Sequence, residues 1–382
     1  MIIEIRGTGC HNKGAQLMAY AILQHFRQPA PRCSPQFVVT STFGSYEIRA
    51  QLGLYTKLVG RKIGRTKVLE WLLPPATRQR YGLITAKEVD VILDASGFAF
   101  GDIWGPQAAE RFAAQIAQWK QPNRKLILLP QAIGPLTTPR LQRAFRQIQR
   151  QADLIFVRDP QSYTYIQELG GAGERVKLAP DFTSIVKGIA PPGYQPTPRD
   201  LVIVPNERML KETSEAERTH YFAFLLRAIA EGVKRDLRPV LLFHAEKDKE
   251  LAAPLLQGWR QLTVVTEEDP IYLKGMIGTA YLLVASRFHA LVNGLSQGIP
   301  VIGTSWSHKY PMLFADYGCP EALLSTQNSA ALPALFDELT TPATRQPYLH
   351  RLQAHDRARK EQVHAMWREI DALIGFTAGA HG

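Results

Sequence analysis

Short runs of Val, Ile and Leu recur along the chain, separated by longer stretches in which apolar residues fall three and four positions apart. The runs predict strands at residues 2–5, 37–40, 89–94, 126–129, 154–157 and 176–178. A second set is predicted at 201–204, 240–243, 263–265, 281–284 and 301–303. The intervening stretches predict helices at 13–26, 107–119, 139–151 and 161–169, then at 215–234, 249–260, 271–277, 290–296 and 309–317. Runs that do not alternate with polar residues mark strands buried on both faces, as in a parallel sheet covered by helices. The expected class is α/β.

Between the two strand sets lies a segment, 188–200, holding Pro191, Pro192, Pro196 and Pro198. Proline favours extended backbone and cannot sit inside a helix, so this is a linker. Two Rossmann-like domains with parallel sheets are expected, 1–188 and 200–340, facing one another across a cleft that is the default site. Residues 341–382 form a charged C-terminal segment that is helical to about residue 374.

Composition narrows the function. A formal net charge of +11 favours polyanions or anionic membrane surfaces. The cations are spread along helices, and no nucleic-acid-binding motif accompanies them, so no specific nucleic acid partner is expected. Cys10, Cys33 and Cys319 are widely separated and offer no CxxC pair, which suits a reducing cytoplasm and argues against a zinc site or a disulfide framework. The first residues read as a strand and a glycine turn rather than a signal peptide, and no apolar run is long enough to span a bilayer. A cytoplasmic protein is expected, one that meets any lipid-linked material peripherally at the cytoplasmic membrane face.

Candidate chemistry clusters after the strands. The run 285–310 places Ser286, Arg287 and His289 at the opening of one helix, and Ser305, Ser307, His308 and Lys309 after the next strand. Ligands of open parallel sheets bind outside the carboxyl ends of the strands, where helix N-termini attract anions. Arg, His and Lys gathered there suggest a small anionic substrate and proton transfer. The turn after the first strand, Gly7 to Gly14, is glycine-rich but is not GxGxxG; Asn12 either caps the following helix or, with Lys13, contacts substrate. After the third strand, Asp94, Gly97 and Asp102 with Phe98 and Phe100 suit a sugar, or else form a turn packed by the aromatics. Arg158 can pair with a ligand's carboxylate or phosphate, or form a structural salt bridge with Asp159 or Asp181. His244 and Asp248 end another strand and could contact a ligand. No metal-binding spacing is present.

The stretch SRFHALVNGLSQGIPVIGTSWSHKY resembles a segment of the polysaccharide pyruvyl transferase family: small-Arg-apolar-His, a Gly-Ile-Pro-Val-Ile strand, then Lys. VRDPQS at 157–162, LPQAIGPL at 129–136, APDF at 179–182 and the Asn12 turn follow the family's order. The resemblance implies a fold similar to the two-Rossmann, GT-B-like arrangement of many glycosyltransferases. It implies transfer of a pyruvyl group from phosphoenolpyruvate to two hydroxyls of a saccharide or lipid-linked saccharide, forming a cyclic ketal and releasing phosphate, in cell-surface or exopolysaccharide synthesis. No further cofactor is implied. Arg158, Arg287 and Lys309 would hold the donor, with His289 as the acid–base residue, and the acceptor would lie on the first domain near Asn12, Lys13, Asp94, Gly97 and Asp102. Many members carry an acidic residue after the Asn-x-Gly turn where this chain has Ala15. A nucleotide-sugar glycosyltransferase, or a member that only binds glycan, are the alternative expectations.

Overall fold

The computed structural model describes residues 1–27, 35–58, 62–63, 66–67, 73–171 and 173–376. Cys33 lies outside them. The chain forms two compact α/β units. The first comprises Met1–Cys10, Met18–Asp181 and Val363–Gly382; the second comprises His11–Leu17 and Phe182–Gln362.

The first unit is built from β1 (Ile2–Arg6), β2 (Gln36–Val39), β3 (Leu54–Lys57), the antiparallel hairpin β4 (Lys62–Ile63) and β5 (Thr66–Lys67), β6 (Leu83–Ile84), β7 (Val91–Asp94), β8 (Lys125–Gln131), β9 (Leu154–Val157) and β10 (Val176–Leu178). All but the hairpin join one parallel sheet in the order β10-β9-β8-β7-β1-β2-β3-β6. Every residue of β7 and β9 is buried, as their unbroken apolar runs require. Helix Gln107–Trp119 buries Ala109, Phe112, Ala113, Ile116 and Trp119, a stripe at helical spacing. Helix Pro139–Gln151 does the same with Leu141, Ala144, Phe145 and Ile148, entering through a Thr138 cap and a proline at its first position. Strand order reverses between β1 and β7, where Arg6 lies in register with Asp94.

The second unit holds β11 (Asp200–Val204), β12 (Arg238–Leu242), β13 (Thr263–Val265), β14 (Leu282–Ala285) and β15 (Val301–Gly303), all parallel, in the order β13-β12-β11-β14-β15. Its order reverses between β11 and β14, whose registered ends are Val204 and Ala285. Helix Phe288–Leu295 follows β14 directly. Its Gly294 lies so close to the sheet that an added Cβ would stand 2.8 Å from Leu283 and 2.9 Å from Val301.

Some elements differ from the sequence expectation. β6 is the edge strand and β3 lies beside it, and both carry too few buried apolar residues to register as runs. The helix expected over 249–260 divides into a 3-10 turn, Glu246–Leu251, and a short α-helix, Ala252–Gly258. The units also take up the chain ends differently from the expected ranges, since His11–Leu17 belongs with the second unit and Val363–Gly382 with the first. Helix Pro342–Ile374 runs through the segment expected to be helical.

Candidate active site

In the second unit the strand-order reversal gathers the carboxyl ends of β11, β12, β14 and β15, the position where open parallel sheets bind ligands. Ser286 follows β14 and is completely buried. Its carbonyl accepts from Asn206 Nδ2 at 2.8 Å and from the Tyr310 hydroxyl at 3.0 Å. Its Oγ accepts from the Tyr221 hydroxyl at 2.9 Å and from Thr304 Oγ1 at 2.8 Å. Burial pushes both phenols well above their ordinary range, so both remain donors. This network fixes the turn from which Arg287 and His289 project.

Arg287 caps helix Phe288–Leu295 with extended backbone. Its Nε donates to Asp248 Oδ2 at 2.8 Å and its Nη2 to Asp248 Oδ1 at 2.6 Å, a bidentate pair. Asp248 is fully buried and is itself held by the Glu207 N–H at 3.0 Å. Burial works against the Arg287 charge, but the bond to Asp248 outweighs it and raises the guanidinium above its ordinary pKa. Arg287 is a fixed, permanent cation.

Lys309 begins helix Lys309–Asp316 and is nearly buried. Its Nζ lies 4.8 Å from the centre of the Trp306 ring, 4.9 Å from Phe288 and 5.8 Å from Tyr310. Aromatic faces hold a cation without neutralising it. His244, past the end of β12, is completely buried; burial first, then the charges of His289 and Arg287, lower its pKa to about 3, so it is neutral.

Asn12 and Lys13 fall in the same unit as His289, Arg287 and Lys309. Asn12 caps helix Lys13–Phe26, its Oδ1 accepting from Gly14 N at 3.0 Å, and it forms a β-bridge with Ala245. Lys13 donates its N–H to the His244 carbonyl at 3.3 Å and pairs through Nζ with Glu268 at 2.5 Å. Gly14 touches His289 so closely that an added Cβ would fall 2.2 Å from Nδ1. Only glycine fits there.

The other expected site residues lie in the first unit. Asp94 is fully buried and engaged: Arg6 pairs with Oδ2, while Ser96 N at 3.2 Å and Gln131 Nε2 at 3.4 Å donate to Oδ1. Its carboxylate supports the turn at the end of β7. Gly97 has φ of +70°, and its carbonyl accepts from Arg158 Nη2 at 3.0 Å. Arg158 also bonds Asp181 at 2.9 Å, the salt bridge foreseen as its structural alternative, while Asp159 instead caps helix Pro160–Glu168. Both oxygens of Asp102 accept from Thr137 N at 3.1 Å, tying two loops together.

A family model for polysaccharide pyruvyl transferase matches residues 12–308, which include Arg287 and His289 and end one residue before Lys309. The chain belongs to the polysaccharide pyruvyl transferase family. No curated protein sequence matches it. Among solved structures, HepE of Anabaena in complex with UDP and glucose is similar at 14% identity and a TM-score of 0.59, covering 97% of this chain and 98% of that one. UDP-GlcNAc 2-epimerase of Neisseria meningitidis bound to UDP-GlcNAc is similar at 11% identity and 0.57, covering 97% and 99%. A glycosyltransferase of Rickettsia africae is similar at 11% identity and 0.55, covering 99% of each. At these identities the likeness shows the fold alone, two parallel-sheet α/β domains of the kind found in GT-B glycosyltransferases and epimerases.

Membership of the polysaccharide pyruvyl transferase family makes the chain a transferase of polysaccharide biosynthesis. No group of three His, Cys, Asp or Glu among the described residues could hold a metal ion, and no described helix is long and apolar enough to cross a membrane. Sequence reasoning missed the two tyrosines that lock Ser286. The signal was available: a tyrosine within the buried stripe of helix Glu215–Val233 must find a partner for its hydroxyl.

Proposed function

We propose that this transferase moves the pyruvyl group of phosphoenolpyruvate onto two hydroxyls of a saccharide or lipid-linked saccharide, forming a ketal and releasing phosphate. The observation that carries the reading is the pairing of two fixed cations, Arg287 and Lys309, with His289 in the first turn of a helix, all in one unit. The donor carries a carboxylate and a phosphate, and both need cations and a helix N-terminus to offset their desolvation. One acceptor hydroxyl adds to the central carbon while the methylene takes a proton. The second hydroxyl then displaces phosphate, which leaves with the remaining proton. His289 serves as the proton carrier, since an imidazole titrates close to neutral pH. Donor binding by Arg158 would require it to exchange Asp181 for the ligand. On this reading Asn12 and Lys13 of the second unit would bind the acceptor, and so would Asp94, Gly97 and Asp102 of the first.

The test is phosphate release from phosphoenolpyruvate with and without acceptor saccharides. Release should depend on the acceptor, and His289→Ala should lower it by about 10²–10⁴-fold, the usual span of general acid–base catalysis. Full turnover in His289→Ala would remove that residue from catalysis. Thermal protection by UDP-sugars but not by phosphoenolpyruvate would point instead to nucleotide-sugar transfer.

A further inference from the structure

Asn293 lies one turn beyond His289 in helix Phe288–Leu295. It is completely buried, and neither its amide oxygen nor its amide nitrogen has a hydrogen-bond partner among the described residues. An amide buried in this way costs stability, whereas a leucine of similar volume would not. The rest of the helix buries Phe288, Leu291, Val292 and Leu295. Packing alone gives no reason for a polar side chain here.

Helix geometry indicates what the amide faces. Residues four apart lie one above the other, with Cβ atoms about 5–6 Å apart. Each Cα–Cβ bond tilts toward the helix N-terminus, so Asn293 leans over the turn that carries His289. Gln297 Nε2 donates to the Asn293 carbonyl and to the Lys274 carbonyl, each at 2.8 Å, which clamps this turn. Ser296, seven residues after His289, is also buried with an unpartnered Oγ. A polar row, His289, Asn293 and Ser296, runs along an otherwise apolar helix.

We propose that Asn293 is a positioning residue for His289: its amide oxygen, through one bridging water, accepts from the imidazole N–H and holds the ring in one tautomer and orientation. The imidazole N–H and the amide oxygen provide the two polar partners that a buried water needs at least. The surroundings favour a neutral acceptor. The titratable and charged groups about His289 are Arg287 with Asp248 behind it, His244 past the end of β12, Lys13 with Glu268 on the side of Gly14, and Lys309 over the adjacent Phe288 ring. An amide orients the ring without adding a charge that would trap its proton. The inference rests on His289 being the acid–base residue.

The experiment is an NMR titration of the full-length chain with isotopically labelled histidine, the His289 resonances being assigned with His289→Gln. Asn293→Leu should unfold near the wild-type temperature, since the leucine fills a similar volume and the cost of burying the amide offsets the lost bridge. Its His289 midpoint should nevertheless fall by about one unit, a tenfold change in proton affinity. In phosphoenolpyruvate turnover kcat should fall at least tenfold with KM nearly unchanged. Asn293→Ser, which keeps a hydroxyl and leaves room for water, should restore the wild-type titration; if the leucine variant does not fold, Asn293→Ala takes its place. A His289 titration and kcat that match the wild type in the leucine or alanine variant would overturn the proposal. The titration needs no substrate, so a wild type without phosphoenolpyruvate turnover would refute the proposed reaction while the NMR still decides the role of Asn293.

Discussion

Asp248 and Arg287 form a bidentate ion pair in the second unit, a fully buried carboxylate against a guanidinium with a side-chain exposure of 13%. A buried pair adds little net stability, because desolvation offsets its attraction, but breaking it strands a charge. Asp248→Ala should therefore cost about 3–5 kcal/mol in urea unfolding. A loss below about 1 kcal/mol would match an exposed pair and mean that solvent reaches the arginine. His244 gives a matching expectation in pH. Its folded pKa of about 3 lies below its ordinary 6.5. As pH falls from 6.5 toward 3 the unfolded chain takes up the proton first, so stability is lost across that window and unaffected above it. His244→Gln should show a shallower decline there than the wild type, and parallel stability curves would show that the imidazole is solvated.

At the scale of elements, the first turn of helix Lys13–Phe26 is fitted to the helix that carries His289. Alanine stabilises a helix interior by about 1 kcal/mol relative to glycine. At Gly14 the added methyl would collide with the imidazole, so Gly14→Ala should lose turnover without gaining stability. An active and more stable variant would show that this turn is not seated against His289. The elements around the site were largely legible in the sequence, because β11, β12, β14 and β15 are apolar runs followed within two residues by Asn206, His244, Ser286 and Thr304. The positions of Arg287, His289 and Lys309 just past strand ends could be read from the sequence alone. Their partners could not. Asp248 lies 39 residues from Arg287 and Tyr221 lies 65 from Ser286, and no periodicity encodes such pairings. Asp94 is a further case: sheet register brings Arg6 to its carboxylate, a partner that no local sequence pattern announces.

At the scale of the molecule, each unit contains a strand-order reversal, yet the cationic residues expected at the site divide between the two. Arg287 and Lys309 sit in the second unit with Asn12 and Lys13, whereas Arg158 stays in the first, occupied by Asp181. The donor chemistry can therefore be tested on residues of one unit. The division of the chain also has a consequence for its folding. The first unit joins Met1–Cys10 to Val363–Gly382, and the second joins His11–Leu17 to Phe182–Gln362. Neither can acquire all its parts while the nascent chain is short. His11–Leu17 must wait until β12 and the residues past its end have emerged before Asn12 can bridge Ala245. Each unit is therefore closed by contacts between segments far apart in the sequence, which form more slowly than local ones.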